Sequence, residues 1–212
     1  MRMYVCSLAN ADAEVKGPPC ELITDDPAKV DAFVRQHDRP GRGVFFCPNP
    51  LKPDATRRAK ETIEEVATIG TDIDAKDIAE SPQTVDQRLQ ALPCPPTRIN
   101  DSGHGRHAFW DLKEPVDTHD AETMAALDRL QKQLVEIVCG DPAVSHHATL
   151  LRLVGSHNSK HGDWLEVRTV RDGGPTYYLE GASGSARRHR APDFHAQKDD
   201  RRSACCDGRR RR

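Results

Sequence analysis

Asp72 and Asp74 stand one residue apart at the end of the β-branched run Val66-Ala67-Thr68-Ile69-Gly70-Thr71-Asp72-Ile73-Asp74. On a strand, the period of two points Thr68, Gly70, Asp72 and Asp74 to one face and Ile69, Thr71 and Ile73 to the other, so the two carboxylates face the same way. Like charges roughly 6–7 Å apart on a rigid strand repel unless a cation lies between them. Hard divalent cations such as Mg²⁺ prefer carboxylate oxygen. Gly70 is expected to leave backbone room for a ligand beside the pair. The plainer reading of the same residues is a solvated strand end running into the acidic loop Ala75-Lys76-Asp77, so the rest of the chain must decide.

Two later segments have the composition of a phosphate site. In Ser102-Gly103-His104-Gly105-Arg106-His107 a turn with two glycines leads into a strand, where glycine lets backbone approach a phosphate closely and holds His107 over the turn. Alone, this is what any hairpin with a Gly-X-Gly turn looks like. In Leu150-Leu151-Arg152-Leu153-Val154-Gly155-Ser156-His157-Asn158-Ser159-Lys160, an Arg, an Asn and a Lys cluster where an apolar run breaks at glycine. Arg binds oxygens bidentately and Lys supplies a compact charge, a combination suited to a triphosphate. Alone, this too reads as an ordinary exit from strand to loop.

The elements that must position these residues alternate along the chain. Residues 1–16 are a short strand or an arm, and Cys20-Glu21-Leu22-Ile23 is a strand. Thr24-Asp25-Asp26-Pro27 starts a helix that carries Val30, Phe33 and Val34 on one face. Val44-Phe45-Phe46-Cys47 is a second strand, ended by Pro48-Asn49-Pro50. Residues 55–66 are expected to be a helix, mostly solvated or with Arg57, Arg58 and Lys60 facing an anion. Ser81-Pro82 starts a helix through Val85, Leu89 and Leu92, and Thr97-Arg98-Ile99-Asn100 is a strand. Residues 119–138 give the clearest helix, with Met124, Leu127, Leu130, Leu134, Ile137 and Val138 on an apolar stripe and Cys139-Gly140 as its stop, just before Asp141-Pro142. Residues 164–170 and 176–180 are expected to form a last hairpin, and order is expected to end near Gly181.

Composition narrows the class. No apolar run reaches the length of a membrane span or a secretory leader, so a cytoplasmic protein without a membrane partner is expected. Seven cysteines without a Cys-X-X-Cys pair argue against a disulfide framework and a zinc ribbon. The net charge of −2 hides an asymmetry: residues 187–212 carry ten Lys/Arg against four Asp, a balance of +6, leaving −8 for residues 1–186. An acidic body counts mildly against a nucleic-acid protein unless several acids hold metal ions. Residues 1–181 are taken as one domain and 182–212 as a basic, disordered tail.

Taken in order, Asp72-Ile73-Asp74, the Ser102–His107 turn and Asp141 followed by Arg152–Lys160 resemble the archaeo-eukaryotic primase superfamily, and within it the RepB-type primase and primase-polymerase domains of plasmids and phages. In that family a strand carries Asp-X-Asp, a Ser-Gly-X-Gly-X-His turn follows, and a third acid precedes a segment of the form Arg-Leu-Pro-Gly-Thr-X-Asn-X-Lys. The resemblance covers roughly residues 40–165, including Asn49-Pro50. Here Val154 replaces the family's proline and Ser156 its threonine. His146 stands where many relatives place a second acid.

The resemblance implies an α/β fold, an archaeo-eukaryotic primase core with an RRM-like antiparallel sheet plus an N-terminal α/β module. It implies template-directed nucleotidyl transfer with two divalent ions, Mg²⁺ or Mn²⁺, held by Asp72, Asp74 and Asp141. His107 would contact the triphosphate of the incoming nucleotide, with Ser102, Gly103, Gly105 and Arg106 beside it. Arg152 and Lys160 would neutralise pyrophosphate charge, and Asn158 would position the loop or the sugar. The implied partners are a single-stranded DNA template, nucleoside triphosphates and a separate or fused replicative helicase. No Gly-X-X-X-X-Gly-Lys-Ser motif occurs, so the chain is expected to be either a catalytic domain alone or a truncated product. Two other readings stand beside this one. A non-catalytic replication accessory would bind single-stranded DNA without synthesis. A rolling-circle or relaxase endonuclease would need a His-hydrophobic-His pair, whereas His146 and His147 are adjacent and would diverge on a strand.

Overall fold

The computed structural model describes residues 1–14, 17–74 and 78–179. The expected basic tail after residue 181 lies outside the described residues, as does the acidic loop 75–77.

Two antiparallel sheets form the body. The first has the order β2-β1-β3-β7, from β1 (Met3–Ala9), β2 (Cys20–Thr24), β3 (Arg42–Phe46) and β7 (Leu151–Arg152). The second has the order β10-β5-β6-β4, from β4 (Glu65–Asp74), β5 (Arg98–Asp101), β6 (Gly105–Asp117) and β10 (Arg168–Arg171). A small ribbon pairs β8 (His157–Asn158) with β9 (Leu165–Glu166).

Helix α1 (Pro27–His37) starts where the sequence signals it, with the Asp26 carboxylate capping Ala28 N, and lays Phe33 against Val5 and Val44 of the first sheet. The second sheet is backed by α2 (Pro82–Gln90), capped by Ser81, and α3 (Ala121–Val138), capped by Asp120. The stripe of α3 buries Leu127, Leu134 and Val138 against Ile69 and Ile73 of β4, while Ile137 falls outside it and is exposed. Beyond α3, Cys139 takes the left-handed conformation that ends the helix, and Gly140 then passes so close to β4 that a Cβ would lie 3.0 Å from the Asp72 carbonyl.

The opposite face of β4 looks toward the first sheet. Gly70 is paired there with Phe109, and a Cβ on Gly70 would lie 2.7 Å from Leu151 Cδ1. Gly70 is thus a packing glycine, not the ligand space expected of it: the room beside its backbone is filled by the side chain that joins the two sheets.

Two expected elements are absent. Residues 55–66 form no helix; only Lys60–Thr62 makes a 3₁₀ turn before β4 begins. The Thr62 hydroxyl accepts from Ala59 N at 2.8 Å, and backbone bonds from Lys52 N to Thr62 O and Glu64 N to Pro50 O, each 2.9 Å, pair the segment with the chain after β3. A side-chain hydroxyl and a neighbouring strand exit outcompete a helix with no apolar stripe to bury. Arg57 pairs with Glu61 and Arg58 donates to the Ala148 carbonyl, so both have protein partners. Among the described residues the last hairpin is also absent. β10 pairs with β5, while Tyr177 runs parallel to Leu112 of β6, its hydroxyl donating to Pro95 O at 2.6 Å.

β4 is held in place by Asn49. Its Nδ2 donates to Thr68 O (3.0 Å) and His147 O (2.8 Å), and its Oδ1 accepts from Ala67 N (2.9 Å) and Thr68 N (3.0 Å), where the register of β4 against β6 shifts. Asn49 is buried, so its loss strands four backbone groups without water. Asn49→Ala is expected to lower stability by about 2 kcal/mol or more, read as a fall in the denaturation midpoint with unchanged far-UV circular dichroism at 25 °C. A change within 0.5 kcal/mol would show that the clamp is dispensable.

Candidate active site

The strand pairing builds the site. Asp72 lies opposite His107 and Asp74 opposite Gly105, so the Asp72–His107 and Asp74–Gly105 pairs share the face that looks toward the first sheet. Gly105 is required sterically, because any Cβ there would lie 2.1 Å from the Ile73 carbonyl oxygen. From the first sheet, β3 and β7 pair Phe45 with Arg152 and bring the guanidinium over the Phe45 ring at 4.8 Å. Both sheets and the β8 loop line one cavity, with Asp72, Asp74 and His107 on one side and Arg152, Lys160 and Phe45 on the other. Ser102, Gly105 and Asn158 also reach it.

The charges there are uncompensated in an informative way. Arg152 is 4% exposed, and its terminal nitrogens find no hydrogen-bond partner among the described residues. Burial pulls its pKa down to about 10, with the Asp72 charge opposing that shift. Asp72 is pushed the other way, to about 6, by desolvation first and then by the charges of Asp141 and Asp74. His107 is fully enclosed, and burial, reinforced by Arg152, lowers it to about 3, so its ring is neutral at pH 7. Its Nε2 lies 3.6 Å from Asp72 Oδ1, a contact that is therefore not an ion pair, and its Nδ1 has no partner among the described residues.

The other sequence-derived candidates divide. Asn158 lines the cavity and also fastens its wall: its Nδ2 donates to Ser102 O at 2.8 Å, and its Oδ1 accepts from Lys160 N at 3.2 Å, tying the glycine turn to the Lys160 loop. Gly103 has φ +92° and packs against Asn158 and Leu165, a structural turn glycine outside the cavity lining. Arg106 lies outside the cavity lining. It lies on the opposite face of β6 from His107 and gives a bidentate grip to Asp86 of α2 (2.7 and 3.1 Å) plus a bond to Asp101 at 3.0 Å.

Asp141 is adjacent through its backbone, donating from N to Asp72 O at 2.7 Å, while its carboxylate caps Ala143 N. No group of three His, Cys, Asp or Glu converges to hold a metal ion among the described residues. His147 lies away from the cavity lining, with its Nδ1 3.8 Å from Asp128.

Sequence reasoning missed four contributors. Phe45 and Gly43 form the bed of Arg152: a Cβ on Gly43 would lie 2.4 Å from Arg152 Nη1. His104 and His161 meet edge to face at 5.5 Å on the rim. The Gly-X-Gly spacing marked the position of His104, but nothing local pointed to His161.

No family model matches this sequence, and neither does any curated protein. Solved structures do match, and they define the fold as that of the archaeo-eukaryotic primase domain. The primase domain of the cyanophage S-2L primase-polymerase superposes with a TM-score of 0.58 at 20% identity over 84% of each chain. The primase RepB′ gives a TM-score of 0.59 at 14% identity over 82% of this chain, which spans about half (52%) of RepB′. The catalytic domain of RepB′, solved with initiator DNA, gives 0.57 at 14% identity, covering 82% of this chain and 79% of that one.

The raised Asp72 pKa has a consequence for stability. The folded state holds this proton up to about pH 6, against 3.8 for an ordinary aspartate. The group's contribution to stability is therefore unaffected below about pH 4, falls as pH rises toward 6 and stays reduced above it. In EDTA, Asp72→Asn is expected to melt above the parent at pH 7, with the gap closing as pH is lowered to 4. A variant that melts at or below the parent at pH 7 would show that the carboxylate is well solvated in the free protein.

Proposed function

We propose that this chain is the catalytic domain of a DNA primase or primase-polymerase, a nucleotidyltransferase acting in DNA replication. The observation that carries the reading is the buried Arg152 guanidinium, unpartnered among the described residues, facing Asp72 across one cavity on a primase fold. An unpaired buried cation is costly, and among the described residues no acid reaches it as a hydrogen-bond or ion-pair partner; a triphosphate would. Lys160 adds a second positive charge on the same wall. The neutral His107 ring presents a nitrogen that can donate to a phosphate oxygen without contributing charge.

Asp72 and Asp74, with Asp141 beside them, would hold two divalent ions, Mg²⁺ or Mn²⁺. The donor set fits, because all its atoms are hard carboxylate oxygens already crowded by like charge. The ions would supply charge neutralisation at the transferring phosphate and lower the cost of ionising the attacking 3′-hydroxyl. Arg152, Lys160 and His107 would bind and orient the triphosphate, while the Ser102 turn, fastened by Asn158, would fix the depth at which it sits. The template would be single-stranded DNA, in keeping with the RepB′ neighbour bound to initiator DNA, and a separate or fused helicase would supply it. No helix among the described residues is long and apolar enough to cross a membrane. A replication enzyme of this kind would work in the cytoplasm, that of the host if a phage or plasmid encodes it.

The test is synthesis on an unprimed single-stranded template with Mg²⁺ or Mn²⁺, ribo- and deoxynucleotides being supplied separately. Asp72→Asn combined with Asp74→Asn is expected to abolish synthesis and spare single-stranded DNA binding; unchanged synthesis removes the reading. Binding without any synthesis by the parent would instead favour the accessory role, and cleavage of the strand the endonuclease.

Arg152 gives an independent check. Arg152→Met keeps most of the stem on Phe45 but removes the buried charge, so the free protein is expected to melt at or above the parent temperature. Nucleotide with Mg²⁺ should raise the melting temperature of the parent and not that of the variant. Arg152→Lys is expected to raise KM for nucleotide, since a point charge cannot reproduce a bidentate contact. A large loss of stability in Arg152→Met with KM unchanged in Arg152→Lys would make Arg152 a structural residue.

A further inference from the structure

The 3₁₀ turn Lys160–Gly162 has two sides. Lys160 and His161 line the cavity described above, whereas Gly162, with the following Asp163 and Trp164, lines a second, open cavity of about 280 Å³. The facing wall is Pro40 and Gly41, with Asp12 on the rim. Trp164 is 45% exposed, yet it is not loose. One face of the indole stacks on His157 at 4.4 Å and 12°. His157 is itself fixed by Asp38, which accepts from its backbone N at 2.9 Å and contacts its Nδ1 at 2.8 Å. The turn is pinned from the same side, since Asn10 Nδ2 donates to Ser159 Oγ (2.9 Å) and Ser159 Oγ to Arg42 O (2.8 Å).

The chemistry of this cavity differs from that of its neighbour. The fixed Trp164 indole lines it together with Ala13, Pro40, Gly41, Ser159 and Gly162, and no cationic side chain lines it among the described residues. The carboxylates of Asp12 and Asp163 on its rim disfavour phosphate, each with one oxygen already engaged: Asp12 Oδ2 accepts from His161 N at 2.5 Å, and Asp163 Oδ2 lies 3.4 Å from His104 Nε2. A flat, weakly polar ring with amino groups at its edge suits all of these features at once. The volume lies at the small end of ligand pockets, enough for one ring system and not for two stacked nucleotides.

We propose that this second cavity holds a nucleobase of the single-stranded DNA template, stacked on Trp164 with its edge toward Asp12 and Asp163. The identity of the strand as template rests on the primase reading; the stacking site does not. The Lys160–Gly162 turn contributes to both cavities, so a base seated here anchors the strand within one turn of the nucleotide site. Sequence-tolerant stacking on an aromatic plane is the usual way a single strand is gripped without base pairing. The carboxylates add a preference, because adenine, cytosine and guanine carry amino donors and thymine carries none.

Trp164 is one of two tryptophans, and the other, Trp110, is buried with its Nε1 donating to Cys94 O at 2.9 Å. Emission therefore reads the proposed site against a shielded internal reference. The full chain, in EDTA and without nucleotide, is titrated with short oligo(dC) and oligo(dT). Quenching of the exposed tryptophan is expected, with tighter binding of oligo(dC). Trp164→Ala is expected to weaken binding by about tenfold, while Trp164→Phe retains most of it. Thermal melts check that both variants fold, and the quenching of the parent needs no variant at all. Saturating DNA without quenching, or parental affinity in folded Trp164→Ala, overturns the proposal. Normal synthesis together with either of those results sinks this site alone; quenching in a protein that synthesises nothing leaves the site standing and sinks the primase reading.

Discussion

A buried guanidinium without a hydrogen-bond partner costs free energy, and the surroundings of Arg152 are arranged to carry that cost without cancelling its charge. The Phe45 ring face offers the electrostatic attraction of a quadrupole and takes no proton. Gly43 gives up a side chain so that the guanidinium can lie against backbone. Asp72 opposes the loss of the proton from across the cavity without reaching it as a salt-bridge partner. Each device steadies the cation and leaves its hydrogen-bonding edge available to an anion.

The same constraint explains why two sheets must dock before the site exists. The first sheet supplies Phe45 and Arg152; the second supplies Asp72, Asp74 and His107. They meet where Leu151, beside Arg152, presses onto the bare backbone of Gly70 and onto Phe109. A side chain at Gly70 would wedge the sheets apart and move the guanidinium from the carboxylates. Asn49 acts on the same joint from another direction, bonding the second sheet at Thr68 and the chain leading into β7 at His147. These are packing residues, yet the distance between opposite charges in the cavity depends on them.

Much of this arrangement was legible in the sequence, and for physical reasons. Period two placed Asp72 and Asp74 on one face of a strand, proline and capping signals placed α1 and α2, and an eighteen-residue amphipathic stripe placed α3. The same period two, applied to β6, separates Arg106 from His107, so the position of Arg106 was written in the sequence and overridden by the motif. Gly70 was misread because a glycine has one appearance whether it makes room for a ligand or for Leu151, which is eighty-one residues away. The missing helix at 55–66 and the missing last hairpin were both decided by pairing with distant chain, through Pro50 and Lys52 in one case and Leu112 in the other. No local pattern carries that information. The cavity beside Trp164 was equally hidden, since Asp12, Pro40 and Trp164 converge only in three dimensions.

The absence of a converged three-carboxylate cluster among the described residues follows from the same electrostatics. Asp72 is already pushed to about 6 by desolvation and by two neighbouring acids. Bringing Asp141 fully alongside in the free protein would raise the repulsion further, with nothing to offset it. Instead the Asp141 carboxylate rests on Ala143 N, while its backbone N–H holds the residue to Asp72 O at 2.7 Å. Under the proposed reading, cations favour the ionised Asp72 and a triphosphate favours the charged Arg152, so each ligand lowers the cost of the group that faces the other. Metal and nucleotide binding are then coupled, and by linkage the coupling is equal in both directions.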